Sequence, residues 1–142
     1  MKKEYSTVGK SVTRVDARDK VTGAAAYIVD MKFTGMLHGK VLRSKYPHAR
    51  IVSIDTSKAE KLPGVHLVLT GKDAPDKRSG ASVFDQHVLA KKTVRYIGDP
   101  VAAVAASTLE IAEAAIDLIE VKYEELPAIH DVELAGSTKP PV

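Results

Sequence analysis

Residues 94–127 constrain the fold more than any other stretch, because they contain a turn, two strands and a helix with readable boundaries. Gly98-Asp99-Pro100 predicts a turn that interrupts regular secondary structure, since glycine permits positive φ and proline has no N–H to donate. The small apolar run from Val101 to Ala106 has the length of a strand covered on both faces. Periodicity alone does not decide between a buried strand and a helix for this run, and its length favours the strand.

A helix is predicted directly after this strand. Ser107 and Glu110 have the S-x-x-E spacing of a capping box, which satisfies two N–H groups at a helix start. The following apolar residues recur at helical spacing and predict one buried face, made of Ile111, Ala114, Ala115 and Leu118. Apolar and charged residues then alternate from Ile119 to Glu124, which predicts a strand with one exposed face. Pro127 closes this strand.

The preceding residues predict short strands, loops and one short helix. Residues 9–24 are expected to form an irregular segment with a turn at Thr22-Gly23, and Ala24 to Val29 a short strand. The only bulky apolar anchors in the irregular segment are Val12, Val15 and Val21.

Further strands are predicted over Leu37–Arg43, Arg50–Asp55, Val65–Leu69 and Val94–Ile97. Val52 and Ile54 are expected on one face of the second of these strands. Leu67 is expected on the same face as Val65 and Leu69 in the third. A short helix over Lys58–Leu62, capped by Thr56 or Ser57, ends at Pro63-Gly64. Residues 71–87 carry Gly and Pro breakers and predict a mobile loop. This order favours an α+β fold, with two helices packed on a mostly antiparallel or mixed sheet.

The length of 142 residues suits a single domain with its own core. We predict a disordered or loosely docked arm over residues 1–8, the domain over residues 9–135, and the start of a linker over residues 136–142. The chain is therefore expected to stop within a linker.

The composition excludes several kinds of site. There are no cysteines, so disulfides, thiolate nucleophiles and cysteine-ligated iron–sulfur clusters are excluded within this chain. The longest apolar runs are too short to span a bilayer, and no secretory signal follows the basic N-terminus, so a cytoplasmic location is expected.

The net charge of +3 is unevenly distributed along the chain. Residues 1–106 carry 19 Lys and Arg against 10 Asp and Glu, a charge of +9, and residues 107–142 carry 2 against 8, a charge of −6. Such a split can mark a charged partner, or two elements with solvated faces of opposite sign. A basic nucleic-acid-binding domain is the less favoured alternative, because only 5% of residues are aromatic and no recognition motif is present.

No autonomous active site is predicted from the motifs. The phosphate-binding, dinucleotide-binding and nucleophile-elbow signatures are absent. Adjacent Glu124 and Glu125 point to opposite faces of their strand and do not converge. No metal spacing links the five histidines, which are His38, His48, His66, His87 and His130. We therefore assign no catalytic, cofactor-binding or metal-binding residue.

Three segments resemble the N-terminal module of the large subunit of molybdenum hydroxylases, the family of xanthine dehydrogenase, aldehyde oxidase and carbon monoxide dehydrogenase. They are VGKSVTRVDARDKVTGAAAYIVD, GMLHGKVLRSKYPHARIVSIDTSKAEKLPGVHLVLT and VRYIGDPVAAVAA, and the resemblance covers about residues 8–135. It implies the α/β-hammerhead fold and an oxidoreductase that hydroxylates aldehydes or N-heterocycles. Two departures are visible: Asp99 stands where the family often has Gln or Glu, and His87 where it often has Pro.

The resemblance also implies where the chemistry resides. Family members use a molybdenum–pterin cofactor, iron–sulfur clusters of the 2Fe–2S type and often FAD, all held by other domains or subunits. This chain would then be a structural domain that packs on the downstream molybdenum-binding domains and helps contact the iron–sulfur and flavin partners. The candidate partner-contact residues are Arg43, Tyr46, His48 and Arg50, together with the 71–87 loop. The alternatives are ordinary solvated loop residues and, for the whole chain, an independent protein-binding module.

Overall fold

The computed structural model describes residues 5–138, which fall into two compact units that divide between Thr34 and Gly35. The predicted arm and linker extend to residues 1–4 and 139–142, which lie outside the described residues. The boundaries of the arm, domain and linker stay predictions. Within residues 5–138, no helix combines the length and the apolar character needed to cross a membrane.

The first unit contains a short helix, α1 (Ala17–Thr22), and a 3₁₀ helix over Ile28–Asp30. The predictions of an irregular segment throughout residues 9–24 and of a strand over Ala24–Val29 are therefore wrong. An ion pair of 2.6 Å between Lys20 and Asp16 spans one helical turn of α1. Gly23 ends that helix with a φ of +74°, at the predicted turn.

The large apolar side chains predicted to anchor this unit are exposed to solvent. None of its described residues is buried, and Val12, Val15 and Val21 are all exposed, contrary to their predicted role. In the segment predicted as a strand, the Asp30 carboxylate accepts a hydrogen bond from the Tyr27 N–H at 3.3 Å. The Asp30 N–H in turn donates to the Tyr27 carbonyl at 3.0 Å, and this backbone bond closes a 3₁₀ turn, so these groups are not free for a ladder.

Within residues 35–138, the second unit contains eight strands and three helices. The strands are β1 (His38–Arg43), β2 (Ala49–Asp55), β3 (Val65–Thr70), β4 (Arg78–Ser79), β5 (Gln86–His87), β6 (Thr93–Val94), β7 (Pro100–Ala106) and β8 (Glu120–Glu125). The helices are α2 (Ser57–Glu60), α3 (Leu109–Asp117) and α4 (Val132–Ser137).

Within the described residues the strands form two three-stranded sheets, with orders β1-β7-β3 and β6-β2-β8, and one two-stranded ribbon of β4 and β5. Every pairing is antiparallel. The α+β class is confirmed, with the strands in separate sheets. Helices α2 and α3 are the two predicted helices, whereas α1 and α4 were not predicted.

Strand β7 is the centre of the first sheet and confirms the buried strand predicted from its small apolar run. Val101 and Ala102 are fully buried, as is Ala106, and Val104 is nearly so. Because adjacent strand residues face opposite sides, burial of both Val101 and Ala102 shows that both faces are covered. Pro100 occupies the first position of the strand, where its missing N–H is tolerated.

Helix α3 begins one residue later than predicted. Its N-cap is Thr108, so Ser107 and Glu110 do not form the expected capping box. The buried positions of the helix are Ala112 and Ala115, whereas Ala114 is exposed, so the predicted face is rotated. One core cluster lies where this helix meets the first sheet, and its buried residues are Ala59, Ala102, Val104, Ala115 and Ile119.

Two bulges change which strand residues face the core. The pairing of β2 with β8 shifts between Ile51 and Ser53, so Ile51 and Ile54 are half-buried while Val52 is exposed. The pairing of β3 with β7 shifts between Val65 and Leu67.

Because of this second shift, Val65 and Val68 pack on the core and Leu67 is exposed. The predicted alternations are therefore wrong at Val52 and Leu67, because an extra residue in one strand reverses the facing of those that follow it.

The segment over residues 71–87 is not wholly loop, since it contains the ribbon of β4 and β5. The chain passes close to itself at Gly71, where an added Cβ would lie 2.3 Å from the carbonyl oxygen of Ala90. A second core cluster, made of Ala49, Ala90, Val94 and Val101, adjoins this contact. Strand β6 is shorter than the predicted strand over Val94–Ile97.

Candidate functional site

The loop after β1 is fixed to the turn before β7 by backbone hydrogen bonds. The Ser44 N–H donates to the Asp99 carbonyl at 2.9 Å, and the Gly98 N–H donates to the Ser44 carbonyl at 2.8 Å. Ser44 is buried, and its hydroxyl also accepts a hydrogen bond from the Tyr46 N–H at 3.0 Å. The loop that carries the candidate contact residues is therefore held at its start by the main chain.

The two arginines among the candidate contact residues already have partners within the chain. The Arg43 guanidinium donates from Nη1 to the Gly98 carbonyl at 2.9 Å, which adds a third bond between the loop and the turn. Arg50 forms an ion pair of 3.3 Å with Glu124 on the neighbouring strand. Both side chains of that pair are more than half exposed, so it contributes at most about 1 kcal/mol to stability.

Tyr46 and His48 also contact their own chain. The ring of Tyr46 lies 5.1 Å from that of Tyr123, centroid to centroid, with the planes tilted by 55°. Burial raises the pKa of the Tyr123 hydroxyl above its ordinary value. Nδ1 of His48 lies 2.7 Å from the carbonyl oxygen of Pro127. Because a carbonyl oxygen only accepts, Nδ1 carries the proton in this contact.

The structure thus places Arg43, Tyr46, His48 and Arg50 in one loop and its flanking strands, and each side chain has an intramolecular contact. Lys45 also lies over the Tyr46 ring, with Nζ 5.3 Å from the centroid. These contacts hold the loop in one shape. A role of the four residues in contacting a partner stays a prediction.

A cavity of about 150 Å³ lies beside this loop and was not predicted. Its lining residues are Asp85, Gln86, His87, Ala90, Thr93, Arg95, Tyr96 and Asp99. Asp99 is only 8% exposed, and its Oδ2 accepts a hydrogen bond from the Arg95 N–H at 3.0 Å. Burial raises the pKa of Asp99, an effect that this hydrogen bond and the charges of Arg95 and His87 oppose. Nδ1 of His87 is buried and has no hydrogen-bond partner within residues 5–138.

The two sequence departures noted above, His87 and Asp99, therefore line the same cavity. They are 12 positions apart in the sequence, and no periodicity relates them. Both residues depart from the family pattern, and this common feature was the one indication in the sequence that they could lie together.

No cluster of metal-ligating side chains is present among the described residues. Within residues 5–138, no group of three or more His, Cys, Asp or Glu side chains is placed to hold a metal ion. The whole chain also lacks cysteine, the usual ligand of iron–sulfur clusters.

A family model described as "Aldehyde oxidase and xanthine dehydrogenase, a/b hammerhead domain" matches residues 22–127. The chain belongs to this family. The match of this hammerhead domain begins within α1 and ends after β8, so it includes both three-stranded sheets. The predicted resemblance and the predicted fold are confirmed.

The hammerhead domain is similar to parts of several oxidoreductases. It is 56% identical over 126 residues to a probable xanthine dehydrogenase subunit of Bacillus subtilis, covering 88% of this chain and 17% of that protein. It is 43% identical over 136 residues to the nicotinate dehydrogenase large molybdopterin subunit of Eubacterium barkeri, covering 95% of this chain and 32% of that protein. The chain therefore spans less than a third of the length of these curated relatives.

Solved structures show the same relationship. The hammerhead domain superposes on the reconstituted CO dehydrogenase of Oligotropha carboxidovorans with a TM-score of 0.84 and 39% identity, covering 94% of this chain and 17% of that one. It superposes on the quinoline 2-oxidoreductase of Pseudomonas putida with a TM-score of 0.81 and 44% identity, covering 89% of this chain and 17% of that one. At these identities the likeness extends beyond the fold to the family.

Proposed function

We propose that this chain is a structural and assembly domain of a molybdenum-dependent hydroxylase, and that it is not catalytic by itself. The observation that carries the proposal is the match of nearly the whole chain to a small part of larger oxidoreductase subunits. One relative is named as a large molybdopterin subunit, which supports a molybdenum–pterin cofactor in the complete enzyme. Iron–sulfur clusters, FAD and a substrate that is an N-heterocycle or an aldehyde belong to the same proposal.

An exposed apolar surface in the second unit supports an assembly role. Its five residues, Val83, Phe84, Val88, Tyr96 and Ile97, are between 49% and 71% exposed, and we refer to them as the apolar rim. Val83 and Phe84 immediately precede Asp85, and Ile97 follows Tyr96. Asp85 and Tyr96 both line the 150 Å³ cavity. A group of large exposed apolar side chains of this kind is typical of a contact surface.

The proposed occupant of the apolar rim is the molybdenum-binding part of the same enzyme. In relatives such as the Bacillus subtilis protein, most of the polypeptide lies outside the region matched by this chain, which supports an occupant of that size. Iron–sulfur and flavin domains or subunits would complete the assembly, and neither nucleic acid nor membrane is among the proposed partners. A cytoplasmic location belongs to the proposal as well.

The first test is the metal content of the purified 142-residue chain. We expect a folded protein with no molybdenum, no visible absorbance and no oxidation of aldehydes or N-heterocycles. Molybdenum bound at one atom per chain, or turnover by this chain alone, would overturn the proposal. The control is a complete relative purified in the same way, which should show both metal and turnover.

The second test concerns the apolar rim. Phe84→Ser together with Ile97→Ser should weaken co-purification with the molybdenum-binding polypeptide, because each change removes apolar area from the contact. The matched control is Val52→Ser together with Leu67→Ser, which alters two exposed strand residues outside the rim. Equal loss in both double variants would argue against the rim as the contact surface.

An independent protein-binding module is the alternative function. The reading frame after the codon for Val142 separates the two proposals. A long continuation similar to the molybdenum-binding part of the relatives supports the enzyme. A stop codon without a neighbouring gene for such a polypeptide supports the module.

A further inference from the structure

A second and larger cavity, of about 400 Å³, shares the lining residues His87, Thr93 and Arg95 with the first. Its lining residues are Asp76, Arg78, His87, Lys91, Lys92, Thr93 and Arg95, and we refer to it as the cationic cavity. The ribbon of β4 and β5 contributes Arg78 and His87. The segment around β6 contributes Lys91, Lys92, Thr93 and Arg95. Its volume is within the range of small-molecule sites.

The cationic cavity has an excess of positive charge. Four of its side chains are cationic and one is a carboxylate, so its net charge is +3 with His87 neutral. The carboxylate is already neutralised, because Asp76 Oδ1 lies 2.8 Å from Lys91 Nζ. That ion pair lowers the pKa of Asp76.

Three cations of the cavity lack a neutralising contact. Within residues 5–138, the side chains of Arg78, Lys92 and Arg95 make no hydrogen bond or ion pair, although Arg78 and Arg95 act at longer range on Asp76 and Asp99. Lys20, Lys40 and Lys58, by contrast, each have a carboxylate partner.

Convergence of unneutralised cations on one concave surface has an energetic consequence. Like charges repel, and a cleft lined by one sign of charge concentrates the potential and attracts counter-ions. A guanidinium presents its N–H groups in a fixed fork that matches the oxygens of phosphate and carboxylate, and an ammonium adds a point charge. Arg78, Arg95 and Lys92 supply both kinds of donor, and the Thr93 hydroxyl supplies a neutral one.

We infer that the cationic cavity is a binding site for an oxyanion, phosphate or carboxylate, held by Arg78, Lys92 and Arg95. The site also accounts for part of the positive charge of residues 1–106, since all its cations lie in that region. The oxyanion could come from a phosphate-bearing small molecule or from acidic side chains of a partner protein. The site does not depend on the proposed function, because it uses residues outside the apolar rim.

The test is a titration of the isotopically labelled 142-residue chain, followed by NMR. One arm uses inorganic pyrophosphate and the other a tetraglutamate peptide. We expect saturable shifts of amide signals between residues 76 and 95 in at least one arm. Saturation by pyrophosphate identifies a small phosphate compound as the source, and saturation by the peptide alone identifies a protein carboxylate. Absence of saturable shifts in both arms would overturn the inference.

Paired variants separate a specific site from the overall charge. Arg78→Gln together with Arg95→Gln should raise the dissociation constant at least tenfold. The matched control, Lys58→Gln together with Lys61→Gln, removes the same charge from α2 and its end, away from the cavity lining. An equal loss of affinity in the control would show that only net charge matters. Arg78, Lys92 and Arg95 are exposed, so their replacement is compatible with folding, and Lys92→Gln alone provides a further variant.

Failure of this test leaves the metal and assembly tests of the proposed function unaffected. Those tests measure the molybdenum content of the chain and its contact through Phe84 and Ile97. The two outcomes are therefore distinguishable.

Discussion

The Thr108 hydroxyl oxygen accepts a hydrogen bond from the Ile111 N–H at 3.3 Å, and this contact sets the start of α3. Thr108→Ala removes the side-chain acceptor at the helix N-cap, so we expect it to lower the free energy of unfolding by about 1 kcal/mol. Urea denaturation measures the effect.

The neighbouring Ser107 is the control for this prediction. Its side chain is exposed and does not cap the helix, so Ser107→Ala should change stability by less than about 0.5 kcal/mol. A larger loss of stability at Ser107 than at Thr108 would contradict the Thr108 cap and support the capping box predicted from the sequence.

Gly71 permits a close approach of two backbone segments. A Cβ at this position would meet three backbone atoms within 3 Å, the nearest being the Ala90 carbonyl oxygen at 2.3 Å. Backbone atoms cannot rotate away as a side chain can, so Gly71→Ala should destabilise the protein by about 1–3 kcal/mol. Thermal unfolding followed by circular dichroism provides the measurement.

Gly39 is the matched control for Gly71. An added Cβ there has its nearest contact at 4.0 Å, with the carbonyl oxygen of Val104. Gly39→Ala should leave stability unchanged or raise it by about 0.5 kcal/mol, because alanine reduces the freedom of the unfolded chain. Similar losses in both variants would mean that the chain does not approach itself at Gly71 as described.

Val101 is one of the largest fully buried side chains among the described residues. Val101→Ala removes two methyl groups from the centre of the first sheet, which should lower the free energy of unfolding by about 2 kcal/mol. Val52→Ala is the same substitution at a strand position that is 61% exposed, where we expect less than about 0.5 kcal/mol. Equal effects at the two valines would contradict the bulge that turns Val52 outward.

The buried carboxylate of Asp99 predicts a pH dependence of stability. Burial raises its folded-state pKa above the ordinary value of 3.8, so the folded protein holds this proton more tightly than the unfolded chain does. The contribution of Asp99 to the free energy of unfolding is therefore greatest below pH 3.8, and it is lost as the pH rises through the folded-state pKa.

Asp99→Asn removes this ionisation but keeps an oxygen that can accept the hydrogen bond from the Arg95 N–H. Relative to the parent protein, the variant should become progressively more stable as the pH rises from below 3.8 through the folded-state pKa of Asp99. Urea denaturation at several pH values measures this trend. A trend in the opposite direction would show that the cavity stabilises the charged carboxylate.

The elements that depend on local patterns could be predicted from the sequence. The run from Val101 to Ala106 is apolar throughout and forms the covered strand β7, and the alternation through Tyr123 forms β8. The shift of the helix cap from Ser107 to Thr108 could not be predicted, because both residues suit that position. The two bulges could not be predicted either, since the register of a strand depends on its partner strand.

The surface features depended on contacts between distant parts of the chain. Arg78 and Arg95 are 17 positions apart in sequence, yet they line one cavity because the β4–β5 ribbon and the β6 segment lie side by side. The same holds for His87 and Asp99. Sequence reasoning found the basic excess of residues 1–106 but had no means of locating it on a surface.

The order β1-β7-β3 has a consequence for synthesis of the chain on the ribosome. The strands β1 and β3 pair only with β7 in their sheet, and β7 begins at Pro100. A nascent polypeptide that ends before this residue therefore carries two strands without their common neighbour. Translation must continue past β7 before these two strands can be joined in one sheet.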